Sequence, residues 1–480
     1  MSEKTLSLLK SRDGFLSVCC MLFIVSGVLF VRLALGMEFP IPWNDETAFI
    51  AQAFEFSRTG SFYVYGLNSE RTVMWMPPGF MLLLAGVYKV FGYSFEVSRW
   101  VSCVLYLGMA AVALLVLRIS LQGWRRHLGM LLMLMAFLSP FALVTSNIAR
   151  METLYSLLFL LSLLASLKRQ YALGLALVLL AATVHFNAVY FLLPYAVLVA
   201  WKILRRESLT VGSWELLALV VAVAALAGYG LFVLKNIGGF LEDMQFQFAY
   251  KLGSPVMGGR SGWMLVGLCL CVPALQLLAH RRFAAETLLS LYGVAFIAMT
   301  LNGHNMWYYF AFSFGFWLLA LGALASSREL AAPFAKAACI AVAVIMIAAQ
   351  GYYSYRNTPE HDPFKPSLGK LVRDFLPKTE IDKVRSFVRS LPPGTTVSFG
   401  YSGVEPYFFA DFAASGALWS GSAHSVTKVF PPRTLDYRVL CDSVMFPAYL
   451  ALYDWDGFPR KSEDSGCTIT HLSKGVTGEP

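Results

Sequence analysis

Apolar runs of helical length, separated by short clusters of lysine and arginine, set the pattern of the chain as far as about residue 353. Lys4, Lys10 and Arg12 precede the run Gly14 to Val31, which reads as a first membrane span with the N-terminus in the cytoplasm. Further spans are expected at about Trp100 to Leu117, Leu128 to Ile148, Thr153 to Leu167, Leu216 to Leu234, Ser261 to Ala279, Thr287 to Leu301, Met306 to Ser327 and Ala337 to Tyr353. Between them, Arg118, Arg125 and Arg126, then Lys168 and Arg169, then Arg281 and Arg282, and finally Arg328 fall where cytoplasmic loops should be. The stretch Gln170 to Trp201 has 32 residues, too few for two full crossings, yet basic clusters flank it on both sides. Two short helices meeting at His185-Phe186-Asn187 and bending inside the membrane reconcile these facts, with His185 and Asn187 at a cavity. The total is about eleven spans, which puts the C-terminus outside.

Two short helices are expected in the first outside loop. In the stretch from Met37 to Gly60, Pro40 and Pro42 stop the first span from continuing as helix. Asn44 then caps a new helix with Asp45 and Glu46 in its first turn and Gly60 closing it. Phe49, Ala53 and Phe56 recur at helical spacing and offer one face to the bilayer surface. Met76-Pro77-Pro78-Gly79-Phe80 opens a second interfacial helix ending at Phe91-Gly92. Beyond residue 353 the chain becomes charged and rich in proline and glycine. We read 1–353 as a transmembrane domain and 354–480 as a small α/β extracytoplasmic domain, with a helix at Ile381 to Leu391 and a strand at Thr395 to Phe399.

Composition narrows the class. The chain is 57% hydrophobic and 14% charged, against about 25% charged in soluble domains, so the fold class is an α-helical polytopic membrane protein. The net charge of +9 comes from residues set between spans, which argues against a nucleic-acid partner. Cys441 and Cys467 are the only cysteines of the polar C-terminal part. Outside, they are expected to form a disulfide closing a loop of 26 residues, stabilising by roughly 3 kcal/mol in the chain-entropy picture. No Asn-x-Ser/Thr sequon occurs, which favours a bacterial inner membrane with a periplasmic C-terminal domain.

The unusual polar residues collect on the outside of this topology. They are Asp45, Glu46, Arg150, Glu152, His185, Asn187, Lys251, Arg260, His304, Tyr308 and Tyr309. Each has a plain reading: Arg150 and Glu152 as helix caps, His185 as a core histidine, Lys251 as a charge in a solvated outside loop from Lys235 to Arg260. Carboxylates and cations converging on one face point instead to a site.

In landmark order, NDETAFIAQAFEFSRTGSF, PPGFMLLLAGVYKVFGYSFEVSRW, SNIARMETLYSLLF, ATVHFNAVYFLLPYAVL and GHNMWYYFAFSFGFWLLALG make residues 15 to 350 resemble the GT-C glycosyltransferases. The branch most similar is that of the protein-O-mannosyltransferases and aminoarabinose transferases. The resemblance implies a sugar taken from a polyprenyl-phosphate monosaccharide and passed to a lipid, protein or polysaccharide. It makes Asp45 catalytic and places a second acid at Glu152, with Glu46 beside them. Arg150, His185, Lys251, Arg260, His304 and Tyr308 are candidates for the donor phosphate, although aminoarabinose-transferase relatives often carry lysine where this chain has His185. A divalent cation would suit Asp45 or Glu46 as oxygen ligands, but no metal motif requires one. Against the enzyme stand a transporter or flippase built on broken helices, and an envelope scaffold; no internal repeat supports the transporter.

Overall fold

The computed structural model describes residues 12–34, 44–208, 210–252, 260–280, 283–299, 309–326, 337, 341, 378–399, 404–420, 435–441 and 466–472. Its membrane portion contains α1 (Arg12–Ala34), α2 (Asn44–Thr59), α3 (Gly79–Phe91), α4 (Phe95–Ser120), α5 (Trp124–Phe137), α6 (Pro140–Ser146), α7 (Glu152–Leu167) and α8 (Tyr171–Ala182). A 3-10 segment, Phe186–Leu192, follows, then α9 (Leu193–Arg205), α10 (Ser213–Lys235), α11 (Ile237–Leu252), α12 (Arg260–His280), α13 (Ala285–Met299) and α14 (Tyr309–Ser326). Four stretches are long and apolar enough to cross a membrane: Gly14–Leu33, Phe95–Ser120, Phe186–Arg205 and Ser213–Lys235. In α10, Trp214, Leu217, Val220 and Leu231 stand exposed, and an apolar helix left largely uncovered by the described residues has the surface of one solvated by lipid. The chain is an integral membrane protein. Of the last expected span, Ala337 to Tyr353, all but residues 337 and 341 lie outside the described residues.

Three sequence expectations need correcting. The run Leu128 to Ile148 is not one helix: α5 stops at Phe137, and α6 restarts at Pro140 with the Ser139 hydroxyl accepting from Ala142 N. Proline at a first helical turn begins a helix more readily than it continues one. The stretch Lys235 to Arg260 is largely helical rather than loop. Gly239 of α11 tolerates its place because Arg71 packs against it, where a Cβ would lie 3.1 Å from the arginine Cδ. Finally, the α2 face carrying Phe49 and Ala53 does not lie on the bilayer. Phe49 is 1% exposed and packs on Trp75 at 4.7 Å and Phe80 at 5.9 Å, while Phe56 stacks on Phe62 at 4.4 Å. Aromatic rings from the following loop and from the start of α3 cover that face, so the short helix belongs to the core.

The hairpin read between residues 170 and 201 is present in form. The Lys202 ammonium sits 6.0 Å from the Tyr171 ring, so the end of α9 returns to the start of α8 and the two basic clusters share a side. Tyr195 meets the hydroxyls of Ser162, Ser166 and Tyr292, a fully hydrogen-bonded polar knot within the bundle. Its arms are unequal: α8 has 12 residues, whereas Phe186–Arg205 has 20.

The C-terminal part folds as α15 (Lys378–Ser390), β1 (Thr396–Ser398), a 3-10 turn at Glu405–Tyr407, α16 (Phe409–Ser415), β2 (Leu418–Ser420), β3 (Tyr437–Cys441) and β4 (Cys467–His471). The sheet runs β2-β1-β3-β4, parallel except for the antiparallel β3–β4 pair. Ile381, Val384 and Val388, one stripe of α15, bury against Val397, Phe399 and Val439. This unit rests on the membrane portion through Tyr407 on Phe95 at 4.8 Å and through Tyr93, whose hydroxyl donates to the Pro406 carbonyl.

The loop from 61 to 78 is held from two sides. Gln52 of α2 donates to the Val73 carbonyl at 2.8 Å, and Arg71 makes ion pairs with Asp243 at 2.8 Å and Glu242 at 2.9 Å, both on α11. Asp243 is fully buried and also accepts from Met74 N. Removing one partner of a buried pair leaves an uncompensated charge. Arg71→Ala should therefore cost about 3 kcal/mol, whereas Glu242→Gln, at the 40% exposed partner, should cost under about 1 kcal/mol. Thermal unfolding of the two purified variants beside the parent checks this order.

Candidate active site

The site is built where α2 begins. Pro40 and Pro42 precede it in sequence, and Asp45 and Glu46 occupy the first helical turn, where the helix dipole favours negative charge. Consecutive helical residues diverge by about 100°, so the two carboxylates reach different partners. Glu46 points inward. Its oxygens accept from Arg99 Nε at 2.9 Å and Arg99 Nη2 at 2.8 Å, and from the backbone of Ala149 at 2.8 Å. Both side chains of this pair are 0% exposed, and the Arg99 guanidinium lies 4.4 Å from the Phe95 ring centre.

Asp45 takes a second arginine. Its Oδ2 accepts from Arg150 Nη1 at 2.6 Å, while Arg150 Nη2 and Nε bind Glu152 at 2.8 Å and 3.1 Å. One guanidinium thus bridges two carboxylates. Glu152 opens α7 and is 0% exposed, Arg150 is 4% exposed, and Asp45 is 14% exposed. Asp45 is the most accessible of the three acids at this corner, and the only one with surface to offer an incoming molecule.

His185 is buried and acts on its own backbone: Nδ1 accepts from Asn187 N at 2.9 Å, capping the 3-10 segment. Its ring lies 5.1 Å from that of Tyr155, which stands one turn after Glu152 on α7. Nearby, Gly79 N donates to the Thr183 carbonyl at 2.7 Å, and a Cβ at Gly79 would come within 2.6 Å of that oxygen. The glycine after Pro77-Pro78 is required by this close approach of the second short helix to the hairpin.

The remaining candidates are not gathered at this corner by any described contact. Lys251 is in the last turn of α11, and Arg260 is the first residue of α12, rather than both lying in a loop. Their side chains, and His304 and Tyr308 altogether, lie outside the described residues. Among the described residues no three His, Cys, Asp or Glu side chains come together as a metal site, and Asp45 and Glu46 are drawn apart by their arginines. Cys441 and Cys467 face each other across β3 and β4 and are joined by a disulfide.

Sequence reading missed Arg99 and the pair Arg71–Asp243. Arg99 had a signal: it is a cation at the outside end of an apolar span, against the positive-inside pattern. Asp243 had none, since its partner is 172 positions away.

No family model matches the sequence, and no curated protein matches it at a significant level. Among solved structures, the chain is similar to ArnT from Cupriavidus metallidurans bound to undecaprenyl phosphate. That likeness has a TM-score of 0.57 and 13% identity, covering 98% of this chain and all of that one, 100%. The apo state of the same ArnT gives a TM-score of 0.54 at 13% identity over 93% of this chain and 96% of that chain. The archaeal oligosaccharyltransferase AglB from Archaeoglobus fulgidus, in complex with an inhibitory peptide and a dolichol-phosphate, is more distant: TM-score 0.47, 10% identity, 89% and 69% coverage. The chain has the GT-C glycosyltransferase fold, as the order of its sequence landmarks implied.

The Glu46–Arg99 pair makes a stability prediction independent of activity. Glu46→Gln or Arg99→Met alone should destabilise by about 3–5 kcal/mol by stranding the buried partner. The double variant Glu46→Met with Arg99→Met should recover much of that loss. Melting temperatures of the single and double variants in one detergent measure the recovery.

Proposed function

We propose that this protein is a membrane glycosyltransferase that moves a sugar from a polyprenyl-phosphate monosaccharide to a hydroxyl of an extracytoplasmic lipid, protein or polysaccharide. We place it in a bacterial inner membrane, with the N-terminus cytoplasmic, residues 1–353 catalytic and residues 354–480 periplasmic. The observation that carries the reading is Asp45, a partly accessible carboxylate on an otherwise buried ion-paired corner, in a chain of this fold. The likeness to ArnT bound to undecaprenyl phosphate supports the choice of donor class.

In this reading the acceptor oxygen attacks the anomeric carbon, forming a new carbon–oxygen bond. The bond from that carbon to the phosphate oxygen breaks, and its electron pair leaves with polyprenyl phosphate. The acceptor proton passes to the Asp45 carboxylate, which acts as general base. The departing phosphate is already anionic and calls for cations near it rather than for an acid. Arg150, held by buried Glu152, keeps Asp45 in place and presents positive charge at the same point. Glu152 is then a positioning residue acting through Arg150, and Glu46 is a structural one acting through Arg99. A divalent cation would find its nearest carboxylates here already bound to guanidinium groups, so Arg150 supplies the positive charge. Lys251, Arg260, His304 and Tyr308 stay candidates for the donor phosphate.

Purified protein supplied with a panel of polyprenyl-phosphate sugars and envelope acceptors tests the proposal. Asp45→Asn should fold and bind donor yet lose about 10²–10⁴-fold in transfer. Glu152→Gln should lose less, and its loss should be in kcat rather than in donor KM. Near-normal turnover in Asp45→Asn would remove that residue from the mechanism.

A further inference from the structure

The turn Glu405-Pro406-Tyr407-Phe408-Phe409 divides its aromatic rings between two bodies. Phe408 is fully buried in the C-terminal unit, stacked on Phe399 at 5.5 Å. Its neighbours on either side face the membrane portion instead. Phe409, 2% exposed, stacks on Phe54 of α2 at 6.4 Å, and Tyr407 packs on Phe95 of α4 at 4.8 Å. Between them, the Tyr93 hydroxyl donates to the Pro406 carbonyl, and the Tyr93 ring lies 4.5 Å from that of Phe54. Phe95 is 4% exposed, and the Arg99 guanidinium that binds Glu46 rests on this same ring, 4.4 Å from its centre.

We propose that Tyr407 is a positioning residue for the transfer step, acting through Phe95 and Arg99 on the first turn of α2, a role that rests on the transferase reading. A desolvated guanidinium is held by its carboxylate and by the aromatic ring beside it. Two hydrogen bonds to Glu46 fix the carboxylate end. The aromatic end is only as fixed as the Phe95 ring. Phe95 is the first residue of α4, with no preceding turn of its own helix to pack on, and Tyr407 supplies a wall from elsewhere in the chain. Glu46 follows Asp45 directly in the first turn of α2, so a shift of Arg99 reaches the Asp45 carboxylate through one peptide unit. The Arg150 side responds as well, because the Ala149 amide just before it donates to Glu46. A misplacement of about 1 Å at a reacting group costs up to about 10²-fold in rate. The C-terminal unit thereby enters the reaction as a brace for the Asp45 corner.

Full-length protein in detergent, as Tyr407→Ala, Tyr407→Phe and Val384→Ala beside the parent, tests the role. Val384 is fully buried in the core of the C-terminal unit, so Val384→Ala controls for destabilisation of that unit alone. Tyr407→Ala should lower kcat about tenfold at unchanged donor KM. Tyr407→Phe, which keeps the ring, and Val384→Ala should both stay near the parent. In a Phe95→Leu background Tyr407→Ala should bring no further loss, because its path is already cut. Hydrogen exchange gives a readout that needs no donor: the Ala149 amide should exchange about tenfold faster in Tyr407→Ala and not in Val384→Ala. Tyr407→Leu, which keeps apolar bulk without a ring, carries the same tests if Tyr407→Ala fails to fold. An equal loss in Val384→Ala, or full additivity with Phe95→Leu, would overturn the role. If the parent transfers sugar and Tyr407→Ala transfers as fast, the role falls and the transferase stands. If the parent transfers no sugar from any donor, the transferase reading falls, and Ala149 exchange alone decides the brace: faster exchange sustains it, unchanged exchange removes it.

Discussion

Two arginines placed against two adjacent carboxylates are the constraint on which this corner of the protein depends. A carboxylate taken out of water loses hydration worth several kcal/mol, and only a partner with matching hydrogen bonds restores it. Glu46 and Arg99 meet that condition completely, with both faces of the pair closed and a backbone amide added. Asp45 and Arg150 meet it only in part, since Asp45 keeps surface. The first pair fixes α2 to the start of α4; the second fixes it to the turn before α7. Three elements far apart in sequence are thereby registered at one corner, and Asp45 is the acid left partly accessible there.

Much of this was legible in the chain. The Asp45–Glu46 turn and Gly60 mark the two ends of α2, whose last turn closes with Gly60 at φ 76°. Pro77-Pro78-Gly79 and Gly92 delimit α3 in the same way. Proline and glycine act locally, through missing donors and permitted φ, so sequence alone reports them. The break at His185 was legible for a different reason: charge on both sides of a short apolar stretch admits few paths through a bilayer.

What failed was knowledge of what covers a surface. The face of α2 bearing Phe49 and Ala53 has the periodicity of a helix lying on lipid, yet Trp75 and Phe80 cover it. Periodicity states that a face is apolar and not which apolar matter meets it. The same limit hid α11. Gly238 and Gly239 look like loop residues until Arg71 is found packed on Gly239 and paired with Asp243. His185 and Glu46 were legible as unusual residues; their partners, Asn187 N and Arg99, were set by the fold and define what each one does.

A transferase must break the sugar–phosphate bond at this site, and a transporter must leave it intact. Purified protein in vesicles, given a polyprenyl-phosphate sugar labelled in both lipid and sugar, can be followed for release of free polyprenyl phosphate. One free lipid phosphate per sugar transferred is expected, dependent on acceptor and slowed about 10²–10⁴-fold in Asp45→Asn. Movement of the intact labelled donor across the bilayer, with no free lipid phosphate, would contradict the transferase reading.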